Sequence, residues 1–253
     1  MKAGLNLYSI RNLIKTEEDF SATAKKLKEM GYDYIQYSGG PYDPEVIKRV
    51  SEESGLPVVL THVPMDRIIN DTDKLMEEHA SFGCYNIGLG AMPLDAIRDE
   101  KLCKETIAKL NDSGKRMAEK GFKFFYHNHH IEFYKHNGQT VFDYMIENAP
   151  YINFTADTYW LQYGGVDVLD YLEKLKGRIE CVHLKDYTIV DDGDWFKPQF
   201  TSVGDGTINY GKIVPKLKEW GVKYFLVEQD NAATLPDTLA PIERSIKYIK
   251  NNL

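Results

Sequence analysis

The 253-residue chain has few cysteines: only Cys84, Cys103 and Cys181, an odd number at wide spacing. Neither a disulfide framework nor a CxxC metal motif can be built from them. Because unpaired thiols are typical of reducing compartments, we expect a cytoplasmic protein.

Long apolar runs and excess positive charge are also absent. No segment approaches the roughly 20 apolar residues that a membrane span needs. Arg11 interrupts the apolar N-terminal stretch early, so no signal peptide is predicted. The net charge of −7 gives no basic footprint for nucleic acid or an anionic membrane. We therefore expect a small-molecule partner, with no nucleic acid and no membrane.

Short apolar or aromatic runs alternate with longer amphipathic stretches, which favours a parallel sheet with crossover helices. Several amphipathic stretches end in a glycine placed as a helix C-cap, at Gly31, Gly83, Gly121 and Gly221. No linker or composition break divides residues 1–253, so one domain is predicted. The eight predicted strands are residues 2–8, 32–37, 57–63, 85–89, 122–127, 152–157, 179–184 and 224–228.

Eight strand–helix units in about 250 residues predict a single α/β domain closed as a (β/α)8 TIM barrel. The alternative is an open doubly wound sheet, which prefers a glycine-rich phosphate loop after its first strand. Residues 5–11 contain no glycine, and no strand is left over. Both observations favour closure.

Ionisable residues close four consecutive strands of the predicted barrel, where the active site of such a fold is built. One strand-end aspartate is commonly a helix cap, but four such residues at one rim favour a metal site. Three carboxylates and one imidazole suit Mn2+, with Mg2+ and Zn2+ as alternatives. His127 lies nearer its strand end than Glu132, so either could be the first ligand. The predicted set is Glu132, Asp157, His183 and Glu228.

Other residues at this rim are candidates for catalysis and substrate binding. His127, His129 and the carboxylates Glu132 and Glu228 are candidate catalytic groups. The candidate substrate contacts are His62, Asn128, Trp160 and Lys185.

Further expectations concern the surroundings of these candidates. Asp186 or Asp230 is expected to orient His183, and His79 is expected to be a solvated helix residue. Residues 191–198 are expected to form a lid, with Trp195 and Phe196 as apolar walls.

These motifs resemble the sugar phosphate isomerase/epimerase superfamily, the xylose isomerase-like TIM barrels, over nearly the whole chain. The matching phrases are Tyr126-His-Asn-His129 with Glu132-Phe133, Asp157-Thr-Tyr-Trp160, His183-Leu-Lys-Asp186, Val203-Gly-Asp-Gly206 and Val227-Glu-Gln229. The resemblance implies one divalent ion on the Glu132 (or His127), Asp157, His183 and Glu228 positions. His127 stands where ketose 3-epimerases of the superfamily usually carry a glutamate, so this chain looks closer to members acting on keto-sugars and inosose-like rings.

The function expected from the residues and the resemblance is a metal-dependent sugar isomerase or epimerase that abstracts a proton next to a carbonyl. A lyase or dehydratase acting on keto-glycosides or inosose-like rings is the alternative. An endonuclease IV-like phosphodiesterase is disfavoured, because this chain lacks the larger histidine set of that enzyme. A non-catalytic sugar-binding barrel is disfavoured as well, because such a protein would be expected to lose the metal ligands, and all four candidates are present here. The sequence leaves open whether the chain forms a homo-oligomer.

Overall fold

A computed structural model describes residues 1–253. It contains twelve strands, of which eight are parallel and close into a barrel in the order β1-β2-β3-β4-β5-β8-β9-β12. The other four form two antiparallel pairs, β6 with β7 and β10 with β11. The strands are β1 (Gly4–Asn6), β2 (Tyr34–Tyr37), β3 (Val58–His62), β4 (Asn86–Leu89), β5 (Lys123–His127), β6 (Lys135–His136), β7 (Gln139–Thr140), β8 (Ile152–Asp157), β9 (Ile179–Leu184), β10 (Asp186–Asp191), β11 (Phe196–Thr201) and β12 (Tyr224–Val227).

The chain also contains eleven α-helices and three short 3-10 helices. The 3-10 helices are Leu7–Leu13, Ile131–Phe133 and Ala232–Thr234. No helix is both long and apolar enough to cross a membrane. The α-helices are α1 (Glu17–Met30), α2 (Pro44–Ser54), α3 (Met65–Asn70), α4 (Thr72–Ser81), α5 (Leu94–Arg98), α6 (Glu100–Glu119), α7 (Val141–Asn148), α8 (Thr158–Tyr163), α9 (Val168–Lys174), α10 (Tyr210–Glu219) and α11 (Ala240–Asn252).

The predicted (β/α)8 TIM barrel is confirmed, and each of the eight predicted runs contains one barrel strand. The first strand is shorter than expected. It ends at Asn6, whose side-chain oxygen accepts a hydrogen bond from the Tyr8 backbone N–H and starts a 3-10 helix. The chain therefore turns away from the sheet at the rim, directly after an inward-facing amide.

Glycine ends the helices as the sequence predicts. Gly31 caps α1 with φ of 100°, and its N–H donates to carbonyls of the last helical turn. Gly83, Gly121 and Gly221 also have positive φ. Since this left-handed conformation is strained for residues with a Cβ, glycine allows the chain to turn sharply from helix to strand.

The barrel interior is built in two layers. A cluster of six buried residues, Tyr34, Val59, Leu60, Phe125, Cys181 and Leu226, is separate from the larger core. Five of the six stand two positions before a polar residue of the rim, and residues two apart in a strand face the same side. The apolar layer is thus a floor, and the polar residues above it are Gln36, His62 (two after Leu60), His127, His183 and Glu228.

Gly4 shows how tightly the floor is filled. A Cβ at this position would lie 2.3 Å from the Tyr34 ring. The tyrosine ring therefore occupies the space that a side chain on β1 would need. Its hydroxyl accepts a hydrogen bond from the Phe225 N–H of β12, on the far side of β1, at 3.0 Å.

His79 was expected to be solvated, and this expectation is wrong. The ring is buried in the packing of α4 against the barrel, with Nε2 2.7 Å from the Thr61 hydroxyl. Nδ1 lies 2.7 Å from the Leu75 carbonyl oxygen. Helical periodicity places His79 four residues after Leu75, on the apolar face, and its two nitrogens find partners there.

Burial lowers the pKa of His79 to about 4. His79 in the unfolded chain binds a proton near pH 6.5, whereas His79 in the folded chain stays neutral down to about pH 4. The stability of the fold is therefore lost as pH falls through this window. Between pH 7 and pH 5 we expect the wild type to lose about 2 kcal/mol more unfolding free energy than His79→Gln. Urea titrations at both pH values measure this, and equal losses in the two proteins would contradict the burial argument.

Candidate metal centre

Four ionisable side chains converge above the barrel floor. His127 ends β5, Asp157 ends β8, His183 lies near the end of β9, and Glu228 follows β12 directly. All four are buried, and their nearest ligand atoms lie within 4.8 Å of one another. The parallel register of β8 and β9 sets Asp157 opposite His183, which brings two of them together through the sheet itself.

The ring nitrogens point at the two carboxylates. His183 Nδ1 lies 2.9 Å from Glu228 Oε2, and His127 Nε2 lies 3.4 Å from Asp157 Oδ2. His183 Nδ1 is buried and makes no hydrogen bond of acceptable geometry. Two imidazole nitrogens and two carboxylate oxygens so arranged match the donor types and number of a divalent metal site.

The structure does not bring Glu132 into this cluster, although the sequence placed it among the ligands. Glu132 lies in the 3-10 helix after β5, where its Oε1 accepts a hydrogen bond from the Tyr126 hydroxyl at 2.6 Å. Its Oε2 accepts from the His129 backbone N–H at 2.7 Å. Both oxygens are engaged in holding the loop, and His127 instead of Glu132 completes the four-residue cluster. Burial raises the pKa of Glu132.

Two amides that the sequence did not single out support the cluster. Asn6 Nδ2 donates to Glu228 Oε1 at 2.6 Å, and Gln36 Oε1 lies 2.7 Å from His183 Nε2. Both are completely buried. The only sequence signal was a polar residue inside an apolar strand, in Leu5-Asn6 and in Ile35-Gln36.

The two aspartates expected to orient His183 bind other groups. Asp186 accepts hydrogen bonds from the N–H groups of Gly204, Gly206 and Ile208, so it holds the loop after β11. Asp230 Oδ2 lies 2.8 Å from Lys185 Nζ. The partner of His183 is Gln36 instead.

Asn128 was expected to contact substrate, and the structure gives it a backbone role as well. Its Oδ1 accepts a hydrogen bond from the Asp157 N–H at 2.9 Å. Its Nδ2 is buried without a protein partner. One end of this amide fixes Asp157, and the other end is left to donate.

Lys185 lies beside the cluster, on the same side of the chain as His183. Its Nζ is 3.3 Å from Glu228 Oε2 and 3.7 Å from Asp157 Oδ2, in addition to its contact with Asp230. The ammonium also lies 4.9 Å from the centre of the Trp160 ring. Burial disfavours the charged form, but the surrounding carboxylates dominate and raise the pKa of Lys185. The metal-free site therefore contains a buried positive charge beside the two carboxylates.

The two carboxylates are ionised despite their burial. Desolvation alone would raise the pKa of Asp157, but Lys185 and the two histidines outweigh it and lower this pKa to about 2. The pKa of Glu228 is lowered by the same neighbours. Burial would lower the pKa of His183, but Glu228 and Asp157 raise it to about 9. The metal-free cluster is thus held together by mutually dependent charges.

Two further histidines flank His127. The ring of His129 lies 4.6 Å from that of His127, and the ring of His62 lies 5.4 Å away. Burial is the largest cause that lowers the pKa of His129 to about 3, and it lowers that of His62 well below its usual value. Both rings are therefore neutral near pH 7. His129 Nδ1 is buried with no partner in the protein.

One side of the rim is walled by aromatic rings. The His129 and Trp160 ring centres are 5.3 Å apart, and Phe200 packs against Trp160 at 6.1 Å. The segment expected to be a lid forms the end of the β10–β11 hairpin. Trp195 and Phe196 are 76% and 61% exposed there, so they do not line the site in this structure, and Phe200 takes the place expected of them.

Comparison with known proteins identifies the family to which this barrel belongs. The family model described as xylose isomerase-like TIM barrel matches residues 24–252. The chain belongs to this family.

Individual relatives agree with the family assignment. An inosose dehydratase from Clostridium perfringens is 31% identical over 169 residues, which cover 61% of this chain but only 56% of that protein. An inosose dehydratase from Klebsiella pneumoniae is 26% identical over 83% of this chain and 82% of its own length. A sugar phosphate isomerase/epimerase structure from Parabacteroides distasonis superposes with a TM-score of 0.73 and 25% identity, covering 99% of this chain and 98% of that one.

Metal analysis tests the cluster directly. We expect one divalent ion per chain in the wild type after incubation with Mn2+ and desalting, and its loss in Asp157→Ala, because the variant removes one of four converging donors. Mn2+ at a thousandfold excess over its Kd should stabilise the wild type by about 4 kcal/mol. Mass spectrometry of the metal content and thermal melts measure the two effects.

Asp194→Ala, an exposed change near the hairpin end, is the matched control and should bind like the wild type. Equal metal content in Asp157→Ala and the wild type would show that the cluster is a network of ion pairs and not a metal site.

Proposed function

We propose that this protein is a metal-dependent lyase that dehydrates a keto-sugar or keto-inositol, by removing a proton next to the carbonyl. The observation that carries the proposal is the buried cluster of two histidines and two carboxylates at the barrel rim, next to an unpartnered neutral histidine. The similarity to inosose dehydratases supports dehydration. The three free cysteines fit a reducing compartment such as the cytoplasm.

His127, Asp157, His183 and Glu228 would hold the ion. A divalent metal held there would act as a Lewis acid on the substrate carbonyl and an adjacent hydroxyl. With two nitrogen and two oxygen donors, the set is softer than the one predicted from sequence, which favours Mn2+ or Zn2+ over Mg2+. The negative charge of the carboxylates attracts the ion, and the N–H of His183 toward Gln36 leaves its Nδ1 for coordination.

His129 is the residue best placed to be the base. His127, the other candidate, is committed to the cluster, and Glu132 is committed to Tyr126 and to the His129 backbone. The His129 ring lies beside the His127 ring of the cluster and is unpartnered at Nδ1. A neutral imidazole with a free nitrogen can accept the proton from carbon.

Lys185 would stabilise negative charge that develops on the substrate oxygen. Its ammonium is buried and is fixed by Asp230 and Glu228. A preorganised charge in a water-poor site stabilises an oxyanion more than it would in water. The three carboxylates around Lys185 favour its charged form in the metal-free site.

The reaction outcome depends on where His129 returns its proton. In dehydration, the C–H electron pair forms the new C=C bond, the β C–O bond breaks, and the proton on His129 joins the departing hydroxyl to give water. In isomerisation, the same proton returns to a different carbon and no water is lost. Isomerisation is the second candidate, favoured by the similarity to the Parabacteroides sugar phosphate isomerase/epimerase.

Incubation of the Mn2+-loaded protein with an inosose in D2O tests the proposal. We expect a product lighter by one water, with an absorbing enone, whereas a product of unchanged formula carrying solvent deuterium would identify isomerisation. His129→Ala should lower the rate about 10²–10⁴-fold while retaining the metal, since only the base is lost. Mass spectrometry and the rate of product formation give both results.

His136→Ala is the matched histidine control, since His136 lies in β6, outside the rim cluster, and bonds the Ile97 carbonyl. Full activity of His129→Ala would contradict the assignment of the base. If a panel of keto-inositols and keto-glycosides undergoes neither change, the proposed activity is wrong.

A further inference from the structure

Gln36 lies between two histidines at the end of β2. Its Oε1 is 2.7 Å from His183 Nε2, and its Nε2 is 3.0 Å from His62 Nε2. The side chain is completely buried, so no solvent competes for either contact. One amide therefore connects a ring of the cluster with a ring beside it.

The chemistry of the amide fixes the proton positions on both rings. An amide oxygen only accepts, so the His183 nitrogen facing it must carry hydrogen. An amide nitrogen only donates, so His62 Nε2 must be the bare nitrogen of a neutral ring. His62 can meet this requirement with its proton on Nδ1, which lies 3.5 Å from the Ser38 hydroxyl oxygen. Each contact thus supports the same orientation of Gln36.

The opposite orientation of the amide conflicts with the cluster. It would aim the Gln36 N–H groups at His183 Nε2, which would then have to be the bare nitrogen. The one proton that the ring keeps when it binds a metal would then have to stay on Nδ1. Nδ1 faces Glu228 Oε2 at 2.9 Å and Asp157 Oδ2 at 3.8 Å. A proton held there would block the nitrogen that points into the cluster.

We infer that Gln36 is a positioning residue that fixes the ring plane and tautomer of His183, so that Nδ1 faces the metal and the affinity of the centre depends on this amide. The inference rests on the proposed function, because it assumes that the cluster holds a metal. Gln36 itself does not touch the carboxylates of the cluster. Partners of this kind typically change metal affinity 10–100-fold when they are lost.

Three variants separate orientation from packing. Gln36→Met keeps the length of the side chain and removes the amide. Gln36→Glu keeps an acceptor toward His183 Nε2, and its charge strengthens that contact. Gln229→Met is the matched control, because Gln229 is also a buried rim glutamine, but its amide donates to Asn231 and contacts no histidine.

The measurement is Mn2+ affinity, obtained by titrating metal-free protein and following free Mn2+ by electron paramagnetic resonance. We expect Gln36→Met to bind Mn2+ about 10–100-fold more weakly. Gln36→Glu should bind as tightly as the wild type or more tightly, and Gln229→Met should match the wild type. Melting temperatures of the metal-free proteins report packing separately.

Unchanged affinity in Gln36→Met would overturn the inference. If Gln36→Met does not fold, Gln36→Glu decides alone, and weakened binding by this variant would also overturn it, since the acceptor is retained. A wild type that binds no Mn2+ would overturn the proposed metal centre and this inference together. Mn2+ binding by a wild type that transforms no keto-sugar would leave Gln36 assigned and refute only the activity.

Discussion

The site depends on the burial of two ionised carboxylates, Asp157 and Glu228, inside one barrel. A buried charge costs several kcal/mol unless it is compensated, so the rest of the rim must supply positive charge and donors. Lys185 and the histidines supply the charge, and Asn6 supplies a hydrogen bond to Glu228. At neutral pH the protonated His183 and Lys185 balance these two carboxylates, and a divalent cation would replace the proton on His183 Nδ1. The same attraction that stabilises the metal-free cluster therefore creates an affinity for a metal.

The strand period of two is what makes this arrangement compatible with a stable fold. Along β2, β5, β9 and β12 an apolar inward residue precedes each polar one, so packing and chemistry are separated by height within the same barrel. Tyr34 and Phe125 fill the lower layer, where a tyrosine ring even replaces the side chain of Gly4. Because the polar layer rests on this floor, the four clustered side chains lie on strands or directly after one, which favours a fixed geometry.

Much of this could be predicted from the sequence, and the failures have a common cause. The eight strands follow from local apolar runs, and Asp157, His183 and Glu228 were found because each ends or nearly ends such a run. The choice of His127 over Glu132 depends on the turn after β5, which is set by the Tyr126 hydroxyl and the His129 N–H. Gln36 was missed because its partner His183 is 147 residues away, and only barrel closure brings them together.

The supporting groups around the cluster are neutral amides, and the charge balance explains why this choice suits the chemistry. Carboxylates in place of Asn6 and Gln36 would add negative charge to a site whose compensation already relies on Lys185 and the histidines, and the desolvation cost would grow with each one. An amide holds a ligand ring or oxygen at the same distance without that cost. With a divalent ion bound, neutral amides would leave the centre more positive than carboxylates would, which favours the build-up of negative charge on a substrate oxygen when a neighbouring proton is removed.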